Sequence, residues 1–381
     1  MSLVHDGDQC PQVCRSRLSP PLKTPDFYTP IYAYIYVFSR LLLQQWIINC
    51  TYASTNSTIL SVRPNLKIIG LAPVFVLWGC ATVLDEDGAL AMARYDIEEN
   101  GRIVVDVQVN DQGPFAFALD TGASISVLFD EARNTLELEP VPGKSVMIHG
   151  VLASGTFPLL NISRLAVGRE VWAGPRVASL PGETLAATGI DGILGVDFLR
   201  RYAVGFSTRD RVIRLYPPEL VALRNYRGWT SIPLEPEYIG DAGAALYFFE
   251  IEIGGQRIPA LFDLGAGLNM INWAAARSLG LEPVDTRDDD LLAGAIESAP
   301  VTARIRFDEV RTGHIRWRDE EFTVAELEVF STLTPGRSGC AILGAELFTQ
   351  RDFIIDFTRS RLLVNVAMAE TNVLPGKAGT P

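Results

Sequence analysis

Histidine and cysteine are scarce in this chain: three and five among 381 residues. Only His149 and His314 lie beyond residue 94, neither within an H-E-x-x-H frame, so a zinc-hydrolase site has little support. A G-x-S-x-G elbow and a phosphate-cradling glycine loop are missing too, which leaves serine-hydrolase and nucleotide chemistry without support. Of the cysteines, Cys10, Cys14, Cys50 and Cys80 precede residue 94 and only Cys340 follows it, so no disulfide can form within the patterned region. Cys10 and Cys14 have no second pair or histidine cluster beside them, and no metal site is expected there. Asp288-Asp289-Asp290 lacks the spaced ligands of a calcium loop and reads as a solvated turn. Positive charge is short as well: the formal net charge is −12 and no basic run interrupts it, which excludes nucleic acid as the expected partner.

What the chain does contain is a repeat. Phe117-Ala-Leu-Asp120-Thr121-Gly122-Ala-Ser124 returns as Ala260-Leu-Phe-Asp263-Leu264-Gly265-Ala-Gly267, in each case an apolar strand delivering one aspartate into a glycine turn. Leu136, Leu138, Glu139 and Pro140 follow Asp120 at the spacing at which Leu279, Leu281, Glu282 and Pro283 follow Asp263. Asp191-Gly-Ile193-Leu194-Gly195 is echoed by Cys340-Ala-Ile342-Leu343-Gly344, and Thr208-Arg-Asp-Arg211 by Thr358-Arg-Ser-Arg361. An ordered echo of this length implies two copies of one domain. They are expected over 95–221 and 237–367, with 222–236 as the connection and 368–381 as a flexible tail.

Within each copy the pattern is that of strands. Ile103 to Val109 alternates, a turn follows at Asn110-Asp-Gln-Gly113, and the next strand carries Asp120; Tyr247 to Ile253, Gly254-Gly255 and the strand to Asp263 repeat the arrangement. Helix is a minority: Asn272 is placed to cap a short one over Trp273 to Leu279, closed by Gly280. Thirty-two glycines and 23 prolines suit an all-β, turn-rich protein.

The first 94 residues differ. Residues 1–61 show no sustained period and are read as an unstructured or mis-assigned extension; Pro30 to Cys50 is apolar, but Arg40, Gln44, Gln45 and Asn49 argue against a membrane span. Residues 62–81 have the layout of an export signal, with Arg63 and Lys67, an apolar centre from Ile68 to Trp78, and Gly79-Cys80-Ala81. Leu77-Trp-Gly-Cys80 resembles a bacterial lipobox, despite the unusual tryptophan, and implies lipidation at Cys80 and a membrane-tethered protein of the cell envelope on the periplasmic side. An uncleaved anchor helix and ordinary cleavage after Ala81 are the alternatives.

Asp120-Thr-Gly-Ala-Ser124 with Asp191-Gly-Ile-Leu-Gly195 resembles the retropepsin-like aspartic proteases, and two copies in one chain are similar to the bilobed pepsin arrangement. The resemblance implies two acid-protease β-barrel lobes, a catalytic pair of Asp120 and Asp263, a peptide or protein substrate, no cofactor, and a monomer, since the duplication supplies what a retroviral-type protease gains by dimerising. Thr121, Gly122, Ser124, Leu264 and Gly265 would form the supporting loops, and Ile193, Leu194, Gly195, Ile342, Leu343 and Gly344 would pack beneath them. A hairpin covering the cleft is expected near Ser145 to Val151, where His149 and Gly150 are either substrate contacts or plain exposed hairpin residues, or near Leu291 to Ala295, which includes Gly294. One departure stands out: the family has Thr or Ser after each aspartate, its hydroxyl bracing the opposite loop, and Leu264 cannot make that bond. The alternative to an active protease is therefore a protease-like scaffold that holds peptide uncut.

Overall fold

The structure, a computed structural model, describes residues 87–99, 101–149, 154–182, 188–238, 245–281, 291–293, 298–300, 303–327, 329–330 and 339–366. The extension, the export-like segment with Cys80, the Asp288–Asp290 turn, Gly150, Gly294 and the tail lie outside these residues. Among those described, strands dominate, and the helices are one or two turns long; none is long and apolar enough to cross a membrane.

Each copy is built on the hairpin its alternation predicts. Ile103–Val109 pairs antiparallel with Gln112–Leu119, and Ala245–Ile253 with Gln256–Phe262. The first turn is tighter than the expected four residues. Asn110 and Asp111 alone close it, both with left-handed backbone (φ 51° and 64°), a geometry their short polar side chains tolerate. The second closes on Gly254 and Gly255, at φ 56° and 82°. Asn272 caps the helix Trp273–Ser278 by accepting from the Ala275 amide at 2.9 Å, and Gly280 follows at φ 77°.

A third strand threads each hairpin edge. Gly192–Leu194 lies parallel to Gln112–Leu119 and antiparallel to Val127–Phe129. Ala341–Leu343 lies parallel to Gln256–Phe262 and antiparallel to Asn269–Ile271. Hydrogen bonds repeat across the copies: the Asp120 amide donates to Leu194 O as the Asp263 amide does to Leu343 O, and Val196 N donates to Ala123 O as Ala345 N does to Ala266 O. Ile193, Leu194, Ile342 and Leu343 are all buried, so these apolar pairs form the floor under both aspartate turns.

The lobes join through strands that also repeat. Ala203–Ser207 pairs antiparallel with Phe353–Asp356, Ala203 opposite Asp356 and Phe206 opposite Phe353. Thr208 and Thr358, just beyond these strands, stand 150 residues apart, and so do Ala203 and Phe353. Each strand thus meets its own copy across a local two-fold axis, with the Phe206 and Phe353 rings stacked at 4.3 Å. Residues 222–236, expected as a plain connection, contribute the strand Trp229–Pro233, which pairs with Arg361–Asn365 and buries Ile232. One apolar cluster runs through both lobes, including Phe117 and Phe198 from the first and Phe262 and Phe348 from the second.

Candidate active site

Asp120 and Asp263 end equivalent strands and meet between the lobes. Each is held by its own loop: Gly122 N donates to Asp120 Oδ1 at 2.7 Å, while Gly265 N and Ala266 N donate to Asp263 Oδ1 at 2.9 and 3.2 Å. The two carboxyls also hydrogen-bond to each other. Burial, then the neighbouring charge of Asp263, pushes the Asp120 carboxyl well above the usual carboxylate range. Burial raises Asp263 too, while the hydrogen bond from Asp120, the Gly265 and Ala266 amides, and the Arg102 guanidinium act in the opposite direction. Two carboxylates hydrogen-bonded to each other cannot both ionise readily, which favours one proton shared by the pair.

The glycines are fixed by this approach. A methyl group on Gly122 would sit 2.7 Å from Asp263 Cγ, and one on Gly265 would overlap the Asp120 carboxylate. Each loop therefore lays bare backbone against the opposing acid, and only glycine permits it. Gly195 and Gly344 are constrained in the same way: an added Cβ would lie 2.8 Å from Ala123 O and 2.7 Å from Ala266 O, respectively.

Bracing between the loops is one-sided. Thr121, fully buried, donates from Oγ1 to Phe262 O at 2.7 Å and accepts from Leu264 N at 3.0 Å. Leu264 has no hydroxyl to return the favour to the first loop. It is wholly buried in the shared apolar cluster, so packing takes the place of the missing bond.

Other predicted residues fall as follows. Ser124 is half-buried in the first loop, and the buried hydroxyl there belongs to Ser126. Ser126 Oγ accepts from Gly195 N at 3.0 Å and donates to Asp197 Oδ1 at 2.6 Å. In the second lobe Asn269 Oδ1 accepts from Gly344 N at 3.0 Å. Ser126 and Asn269 each stand six residues after their aspartate in an apolar strand, a signal present in the repeat. The hairpin Ser145–His149 with Ser154–Asn161 exists in the first lobe. Its Val146, Ile148 and Phe157 pack on the cluster containing Ala118, Val127 and Ile193, whereas His149 is exposed and pairs across the hairpin with Ser154 Oγ at 2.8 Å. The second lobe has a corresponding short hairpin, Leu291–Ala293 with Ser298–Pro300.

Arg102 went unnoticed in the sequence. It donates from Nε to Gly265 O at 2.9 Å across the lobes, and nothing in the repeat marks it, because its counterpart position holds Leu246.

A family model described as aspartyl protease matches residues 105–198 and 249–347, one aspartate falling in each match. No curated protein matches the chain.

Proposed function

The chain belongs to the aspartyl protease family, and from that premise we propose that it is an endopeptidase in which Asp120 and Asp263 together activate one water. The observation that carries the reading is reciprocal: Gly122 abuts Asp263, and Gly265 abuts Asp120. Loops kept that bare on both sides serve a pair of acids brought face to face, and a lobe retained only for packing would have no use for a buried carboxylate.

The ionised carboxylate takes a proton from the water as its oxygen attacks the scissile carbonyl, and the protonated partner gives its proton to the carbonyl oxygen. The tetrahedral diol then collapses. The amine leaves with the proton that the first carboxylate had gained, while a diol hydroxyl returns a proton to the second, so the pair ends monoprotonated again. No cofactor is needed. Activity should follow a bell-shaped pH profile bounded by the two ionisations of the pair.

We place the enzyme in the cell envelope, tethered through Cys80 and working as one chain; Leu77-Trp-Gly-Cys80 supports this. Intact mass of membrane-extracted protein tests the tether, and a mature chain starting far from Cys80 would sink it. A peptide-binding scaffold is the second reading, favoured by the buried leucine at 264. Cleavage of a denatured protein across a pH series, beside Asp120→Asn and Asp263→Asn, separates the two. Loss of activity in both variants is the expected result; residual cleavage equal in all three proteins would identify a contaminant and favour the scaffold.

A further inference from the structure

The strands that join the lobes form a sheet with two different faces. Val204, Phe206, Phe353 and Ile355 belong to the cluster that holds Phe262 and Leu264, the residues on either side of Asp263. Ala203, Ile354, Leu363 and Tyr216 belong instead to a cluster with Ala89 and Val221. Because side chains alternate along a strand, this second cluster lies on the side of the sheet away from the catalytic pair. The helix Pro218–Leu223 packs there through Val221 and Leu220.

Residues 87–90 are fastened against that helix. Arg224 donates to Asp87 O, Arg214 pairs with the Asp87 carboxylate at 3.4 Å, and Arg169 donates to Leu90 O and, at 2.9 Å, to Ala89 O. A methyl group on Gly88 would lie 2.6 Å from Leu220 Cδ2, so the backbone runs directly along the helix. Only six residues separate Cys80 from Asp87, a reach of about 25 Å at full extension. A bilayer that holds Cys80 therefore has this face beside it.

The side chains on the face fit such a neighbour. Leu223 ends the helix 81% exposed, more than any other large apolar side chain among the described residues. Arg224 and Arg227 follow, both exposed, on a protein of net charge −12. Glu219 is the one acid within 218–228, and Asp87 is paired with Arg214. An exposed leucine beside two arginines matches the boundary between acyl chains and anionic headgroups. We propose that Leu223, Arg224 and Arg227 dock on an anionic bilayer and turn the cleft away from it, toward soluble substrates. The proposal rests on the tether reading for the nearness of the membrane.

A fluorophore sensitive to polarity, attached to Leu223→Cys in the full-length protein, reads the contact after reconstitution into phosphatidylglycerol–phosphatidylcholine vesicles. Met147→Cys, at a 55% exposed position on the first-lobe hairpin, is the control, and unsubstituted protein labelled in parallel gives the background of the native cysteines. Emission from 223 should move to the blue in vesicles while that from 147 stays as in water. Arg227→Gln should lower the docked fraction about fivefold, one arginine's share of the attraction to an anionic surface, and added salt should act in the same direction. No shift at 223, an equal shift at 147, or a shift that Arg227→Gln leaves unchanged overturns the proposal. Flotation and intact mass of the same sample test the tether separately. A chain that floats without an acyl group at Cys80 ends the tether reading while the probe still decides the docking, and a chain that never floats ends both.

Discussion

Replacing Thr121 by valine tests how much of the lobe contact rests on one hydroxyl. Valine matches threonine in shape, so no cavity opens and the change isolates the hydrogen bonds. Two are lost, the 2.7 Å bond to Phe262 O and the 3.0 Å bond from Leu264 N, each worth about 1 kcal/mol net. Thr121 is fully buried, so water cannot replace them, and stranding one carbonyl and one amide adds about 1 kcal/mol more. A threonine or serine at 264 would share this burden, but Leu264 cannot. The expected cost of Thr121→Val is therefore about 2–4 kcal/mol, measured by urea unfolding at fixed slope, together with a fall in kcat as the loops part. Thr121→Ser keeps the hydroxyl and should cost only about 1 kcal/mol for its lost methyl group. If valine costs under about 1 kcal/mol, or serine as much as valine, the hydroxyl is not the brace and Leu264 packing carries the contact.

Gly122→Ala places a methyl 2.7 Å from Asp263 Cγ, and the displaced carboxylate should lower kcat by roughly a hundredfold or more; steady-state kinetics within threefold of wild type would contradict the fit described. Glu320, buried on the strand Ile315–Val324, has its carboxyl raised to about 7 by burial and then by Glu346, against weaker opposing pulls from Gln350 and Arg306. A carboxyl raised from its ordinary 4.5 stabilises the fold while protonated; that contribution is complete below about pH 4.5 and is lost as pH rises through about 7. Glu320→Gln should accordingly be flatter than wild type in unfolding free energy between those limits, by about 1–2 kcal/mol once solvent screening is allowed for, and parallel curves would show that Glu320 is not the group responsible.

Patterns that are local in the chain were legible in it. Alternation and paired glycines give the two hairpins, the Asn272 cap is a short-range hydrogen bond, and the repeat pairs Asp120 with Asp263. The two-residue turn at Asn110-Asp111 was less legible, since backbone handedness decided it rather than glycine content. Ser126 and Asn269 were visible as an echo, but their partners, Gly195 and Gly344, are about seventy residues away and become neighbours only when the third strand inserts.

By itself the sequence determined the duplication, the β class, the two acids and the glycines beside them, because each is written in spacing and residue type. Only the tertiary structure decided which distant residues meet across the two copies. Thr121 reaches the backbone of Phe262 and Leu264, Arg102 reaches Gly265, and Trp229–Pro233 joins the last strand. Each contact links residues more than a hundred positions apart, where propensity and period carry no information and the packing of one lobe on the other sets the partner.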